Sequence, residues 1–260
     1  MRNPFRTSPT VNVLRLNGAI GMAGRGLSDA GLADLIQSAF SKGKPKAVAL
    51  LINSPGGSPV QSSLIAARIR RLSEEKDVPV SAFVEDVAAS GGYWLATAAD
   101  EIIADRSSIL GSIGVISAGF GLHDLAERHG VERRIHTAGG SKSFMDPFRP
   151  ENPADVARLE VLLEQMHETF ITQVKTRRPN LADDPDLFTG AFWLGARAVE
   201  LGLADGLGHM VPHMKARYGK KVRFREFKPS RGWMARLTRA GLEEAAFGIE
   251  ERAAFARFGL

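Results

Sequence analysis

Residues 81–116 read SAFVEDVAASGGYWLATAADEIIADRSSILGSIGVI, and the fold turns on how this stretch is parsed. The apolar, β-branched run from Val78 to Val84 reads as a buried strand, with Glu85 and Asp86 as the turn that ends it. Ser90 then stands just before Gly91 and Gly92, where Tyr93, Trp94, Leu95 and Ala96 open a short apolar helix. A hydroxyl at a strand-to-helix junction is held on rigid elements, beside N–H groups of the first helical turn that have no intrahelical partner and can receive a developing negative charge. Such a place suits a nucleophile. A serine there also serves as an ordinary N-cap, and for an isolated Ser-Gly-Gly capping is the commoner role.

Upstream, Val11 to Leu16 alternates and runs into Asn17-Gly18, a half-buried strand and its turn. Ser28 caps an amphipathic helix that buries Leu32, Leu35, Ile36 and Phe40. Ala47 to Ile52 is continuously apolar, as a strand covered on both faces is. It ends in Asn53-Ser54-Pro55-Gly56-Gly57-Ser58, a loop placed to bring backbone N–H groups to a ligand at the carboxyl end of a strand. A helix over 60–72 then restores the sheet, and the βα rhythm predicts an α/β fold. Downstream, Glu101–Ala104 and Ile113–Ile116 read as short strands, 122–130 as a helix, Arg133–His136 as a further strand, and 153–178 as a long helix broken by Pro179. Residues 188–208 form a compact return with a short helix. Residues 220–228 alternate like an edge strand. The segment 233–258 sets Phe247, Phe255 and Phe258 among charges and reads as a packing helix in preference to a membrane-surface one.

With 260 residues, 44% of them apolar, the chain can bury a full core. The expected organisation is a flexible N-terminus over 1–10, a main domain over 11–219 and a basic extension over 220–260. Cysteine is absent, which excludes disulfides and thiolate chemistry. The formal charge of +5 is modest and concentrated near the C-terminus, as in a basic tail rather than a nucleic-acid-binding domain. No run approaches the ~20 apolar residues of a membrane span or a leader's apolar core. The chain is therefore expected to be cytoplasmic, its one link to a membrane being peripheral contact through the basic segment.

A serine hydroxyl needs a base before it attacks. His123 and Asp124 are sequence neighbours on a helix and cannot line up as a relay. Glu85 and Asp86 read as turn carboxylates. That leaves Lys142, in the loop Ala138-Gly139-Gly140-Ser141-Lys142-Ser143, as the amine that could take the proton if burial disfavoured its charged form, although a lone loop lysine is ordinarily a solvated one.

The ordered set INSPGGS (52–58), ASGGYW (89–94), GSIGV (111–115), TAGGSK (137–142) with Pro147-Phe148, and TGAFWLGARAVELGLADGLG (189–208) resembles the signal peptide peptidase A family of serine peptidases, and within it the SohB-type members. The resemblance covers about residues 10–210. It implies a ClpP/crotonase-like fold of stacked ββα units, here with a C-terminal helical extension, and a Ser/Lys dyad. Ser90 would be the nucleophile, Lys142 the general base and Ser112 the hydroxyl that orients the lysine. The N–H groups of Gly57 and Gly91 would form the oxyanion hole. It further implies peptide substrates such as remnant signal peptides, no metal or cofactor, and a ring-like homo-oligomer in which serine and lysine can come from adjacent subunits. Two departures are the missing N-terminal anchor and Ser141, where a bulkier residue is frequent. Two other readings of the same fold stand beside the peptidase, a crotonase-like acyl-CoA enzyme and a non-catalytic ring scaffold.

Overall fold

In a computed structural model the described residues are 8–21, 26–140, 142–228, 249 and 251–260. In chain order the elements are β1 (Thr10–Asn17), α1 (Asp29–Ser41), β2 (Ala47–Ser54), α2 (Pro59–Lys76), β3 (Val80–Ala89), α3 (Gly91–Ala96), β4 (Glu101–Ala104) and β5 (Ile109–Gly111). They continue as α4 (His123–Arg128), α5 (Pro153–Arg177), β6 (Phe192–Leu194), α6 (Gly195–Glu200), β7 (Gly206–Leu207), α7 (Met210–Tyr218) and β8 (Arg223–Phe227). They divide into two compact units, residues 1–114 with 170–260, and residues 115–169.

Unit one is a mixed α/β body around one sheet of order β6-β5-β3-β2-β1-β8, with β4 beside β3 and β7 beside β4. Every pairing is parallel except β5 with β6. The continuous apolar run of β2 is explained by its place between β1 and β3, covered on both faces. One face packs Leu14, Leu50, Ile52 and Val84 against α1, α2 and α3. The other sets Val13, Leu51 and Phe83 against Met214 of α7. Ser28 caps α1 as expected, its hydroxyl accepting from the Gly31 N–H. Residues 223–227, beyond the expected domain end at 219, form β8 at the sheet edge.

Three local expectations are corrected. β3 does not turn at Glu85 and Asp86 but runs on to Ala89, its register against β2 shifting between Ile52 and Ser54. The bulge lets β3 exchange one neighbour for another: Ser81–Val84 pair with β4, and Val87–Ala89 with β5. Its carboxylates are matched by Arg15 and Asn53. Residues 113–116 are not a strand, because Gly111 and Ser112 take φ values of 108° and 52° in succession and turn the chain off the sheet. Residues 133–136, exposed or half-exposed and without a ladder partner among the described residues, form no strand.

Unit two holds α4 and most of α5. None of its described residues is buried. Of the C-terminal segment, 229–248 and 250 lie outside the described residues, as do 1–7 of the expected flexible N-terminus; 251–256 are helical. No described helix is long and apolar enough to cross a membrane.

Candidate active site

Parallel pairing of β3 with β5 builds the site. The last pairs are Ala88 with Leu110 and Ala89 with Gly111, and one step further the two chains reach Ser90 and Ser112. The Ser90 N–H donates to the Gly111 carbonyl at 2.8 Å, and the Ser112 N–H to the Ala191 carbonyl at 2.7 Å. The interval between the two serines in sequence is thus a sheet register. Both residues sit at φ 52°, a left-handed conformation that costs a non-glycine residue on the order of 1 kcal/mol or more and persists only where its surroundings fix it.

Ser90 occupies the N-cap position of α3, yet its hydroxyl makes no capping bond. The commoner role for such a serine is therefore vacant. Its backbone at φ 52°, ψ −123° is not the extended conformation a capping residue adopts, and the residue is partly exposed with its hydroxyl free of the helix.

Backbone accounting bears on the two N–H groups that the resemblance offers as oxyanion donors. Ile20 forms a parallel bridge with Gly57, donating its N–H to the Gly56 carbonyl and accepting from the Ser58 N–H, both at 2.8 Å. A parallel bridge of this kind uses the groups on either side of Gly57 and leaves the Gly57 N–H itself without a partner among the described residues. The Gly91 N–H, first in α3, is an orphan for the usual reason of helix ends. The two are adjacent: a Cβ built on Gly91 would lie 3.4 Å from the Gly57 nitrogen. Here the glycines are obligatory. A Cβ on Gly57 would come within 2.1 Å of the Ile20 carbonyl oxygen, and one on Gly56 within 2.8 Å of both the Ser90 Cβ and the Gly91 nitrogen.

Ser90, Ser112, Gly57 and Gly91 are thus brought together within unit one. Lys142 belongs to unit two, in a solvent-exposed turn where its N–H donates to the Gly139 carbonyl at 3.3 Å. The turn is braced inside its own unit, Asp146 accepting from the Phe148 N–H and pairing with Arg133, and Arg133 lying over the Phe148 ring. Tyr93, three residues past Ser90, is fully buried with its hydroxyl donating to the Leu203 carbonyl at 2.8 Å, and burial pushes its ionisation far up. Glu85 and Asp86 are committed to Arg15 and Asn53. Sequence reasoning missed Ile20, which frames Gly57 with its backbone and reaches Gly91 with its Cδ1. Its one signal was a position just past the Asn17-Gly18 turn. Among the described residues the metal-type grouping is His123, Asp124 and Glu127, all at the surface of α4.

Residues 73–217, more than half of the chain, match the family described as peptidase family S49. The chain belongs to that family, which also takes in its SppA- and SohB-named relatives. It is 32% identical over 199 residues to the chloroplastic serine protease SPPA of Arabidopsis thaliana, covering 76% of this chain and 29% of that one. It is 48% identical over 278 residues to a Brucella melitensis protein named Na(+)/H(+) antiporter NhaA, covering 98% of this chain but 38% of that protein. The chain therefore spans only 29% and 38% of the length of these two relatives. Among solved structures, a mutant of a membrane-bound stomatin-specific protease superposes at TM-score 0.53 with 15% identity, over 86% of this chain and all of that one. With the family match, that likeness gives this S49 chain the mixed α/β, ClpP-like fold.

Proposed function

We propose that this S49 chain is a serine endopeptidase working through a Ser90/Lys142 dyad on short or unfolded peptides, remnant signal peptides among them. The observation that carries the reading is the Ser90 hydroxyl, freed from capping and held beside the unpartnered N–H groups of Gly57 and Gly91. In the first step Ser90 Oγ attacks the scissile carbonyl carbon while its proton passes to the neutral amine of Lys142. The carbonyl oxygen becomes an oxyanion held by the Gly57 and Gly91 N–H groups, and the loss of one such donor costs about 10²–10³ in kcat. Collapse breaks the C–N bond, Lys142 returning the proton to the leaving amine; water then attacks the acyl-enzyme with the same lysine as base. Ser112, which like Ser90 stands one step past the last β3–β5 pair, would be the hydroxyl that orients the amine. The acyl-CoA reading would use the two N–H groups but has no need of a strained, uncapped serine.

An ammonium cannot accept a proton, so the base must lose water. Lys142 is exposed in the single chain, and unit two also exposes Ile116, Phe120, Leu125, Val131, Val161 and Leu162. We propose that a ring-like homo-oligomer covers this surface and delivers a desolvated Lys142 to Ser90, in the cytoplasm or at a membrane face. The test is Ser90→Ala: hydrolysis of an unfolded peptide should fall by at least about a thousandfold with an unchanged melting temperature. Near-wild-type turnover in the purified variant would overturn the peptidase reading.

A further inference from the structure

Between Gly18 and Gly21 each backbone N–H has a partner, and three of the four partners are backbone carbonyls. Gly18 donates to the Asn53 carbonyl, Ile20 to Gly56 and Gly21 to Leu27. The Ala19 N–H, in a residue that is fully buried, donates instead to the Glu251 carboxylate at 3.1 Å, across 232 positions of sequence. The close approach depends on Gly18, at φ 105°, where a Cβ would lie 2.5 Å from the carboxylate oxygen. Without Glu251 this buried donor would have no acceptor, and the segment would have to move to find water.

What would move is the frame of the oxyanion hole. Ile20 follows Ala19 directly, holds Gly56 and Ser58 on either side of the free Gly57 N–H, and sets its Cδ1 against Gly91. The same C-terminal stretch reaches the nucleophile side too. Phe255 and Phe258 pack on Val87, Ala89 and Ile109, and the edge of Phe258 meets the Phe192 ring at 5.2 Å between centroids. Ala89 immediately precedes Ser90, and Phe192 pairs with Gly111, which immediately precedes Ser112. One segment therefore touches the strand behind the oxyanion donors and the strands behind both serines.

We infer that residues 251–260 are a clasp that holds the oxyanion frame to the nucleophile strands, and that Glu251 is a positioning residue for hydrolysis, acting through Ala19 and Ile20. The inference rests on the peptidase reading above. Its signature is a loss in kcat rather than KM, since the Gly57 and Gly91 donors act most strongly on the charge that develops in the transition state. In the 260-residue chain, Glu251→Ala should lower kcat about tenfold with KM within about twofold. Glu251→Gln, whose amide oxygen can still accept from Ala19, should recover most of it. Hydrogen exchange read on a fragment spanning residues 16–21 should speed up in Glu251→Ala and not in Glu251→Gln. A wild type that neither hydrolyses peptide nor takes a serine-reactive phosphonate at Ser90 would overturn the peptidase reading, and this one with it. If the wild type does both, then an unchanged kcat in Glu251→Ala, an equal fall in both variants, or unaltered exchange at 16–21 would overturn the clasp alone.

Discussion

Unit one fixes Ser90 with a register, a strained backbone and three close-packed glycines, whereas unit two carries Lys142 on an exposed turn in a body none of whose described residues is buried. The difference matches what each group has to do. A nucleophile and its oxyanion donors act through fixed geometry, which a packed sheet supplies within one chain. A lysine base acts only when desolvated, and a unit without a core has no means of desolvating it unaided. On the proposed dyad, the serine half is positioned within unit one, while the lysine half would need a covering surface.

The comparison breaks hardest at Gly57. A methyl group 2.1 Å from the Ile20 carbonyl oxygen, at φ 142°, must displace the donor strand. Gly57→Ala should lower kcat by about 10²–10³ and cost roughly 3 kcal/mol of stability, read by peptide turnover and denaturant melts. Full activity in this variant would mean the Gly57 N–H is not a donor to the reaction. Polar substitutions on unit two should act in the opposite manner. Phe120→Ser with Ile116→Ser, at side chains 86% and 67% exposed, should leave the melting of unit one unchanged while dispersing the assembly and lowering activity at least about tenfold at micromolar concentration. Light scattering that finds the variant still assembled and active would remove this surface from the account.

The smallest effect belongs to the brace of the Lys142 turn. Accepting from the Phe148 N–H and pairing with Arg133 holds the Asp146 carboxyl below its ordinary 3.8. Because the folded value is depressed, the brace is fully present above 3.8 and is lost as pH falls through the lower folded value. The Phe148 amide resonance should therefore titrate below that ordinary value, and Asp146→Asn should abolish the titration while changing neutral-pH turnover no more than about threefold. A Phe148 amide that titrates alike in both proteins would dissociate the turn from Asp146.

The residues most legible in the sequence are those whose places are written in the backbone. The close backbone approaches at Gly57 and Gly91 were legible because glycines at strand ends mark them, while the roles assigned to these residues and to Ser90 came from the family resemblance; the Ser90–Ser112 interval proved to be a strand register. β3 was cut short at Val84 because two adjacent carboxylates look like a turn until Arg15, 70 positions away, and Asn53 are seen to pair with them. The strand expected at 113–116 was displaced to 109–111 because nothing in Ser112 announces a positive φ. Tyr93 was legible as part of an apolar helix face, but nothing near it announced that its hydroxyl donates to Leu203, 110 residues on. Glu251 offered no local signal at all, being one carboxylate in a charged tail whose partner lies in the first strand-turn of the chain.

The central claim is that Ser90 is activated by Lys142, and the most direct measurement is the rate at which a fluorescent phosphonate labels the assembled protein across pH, with the modified residue located by peptide mapping. The account predicts label on Ser90 alone, at a rate rising along a single-proton limb through the neutral to mildly alkaline range. In Lys142→Arg, whose guanidinium does not deprotonate, labelling should be abolished while assembly is retained. Label on another residue, a flat profile, or undiminished labelling of Ser90 in Lys142→Arg would contradict it.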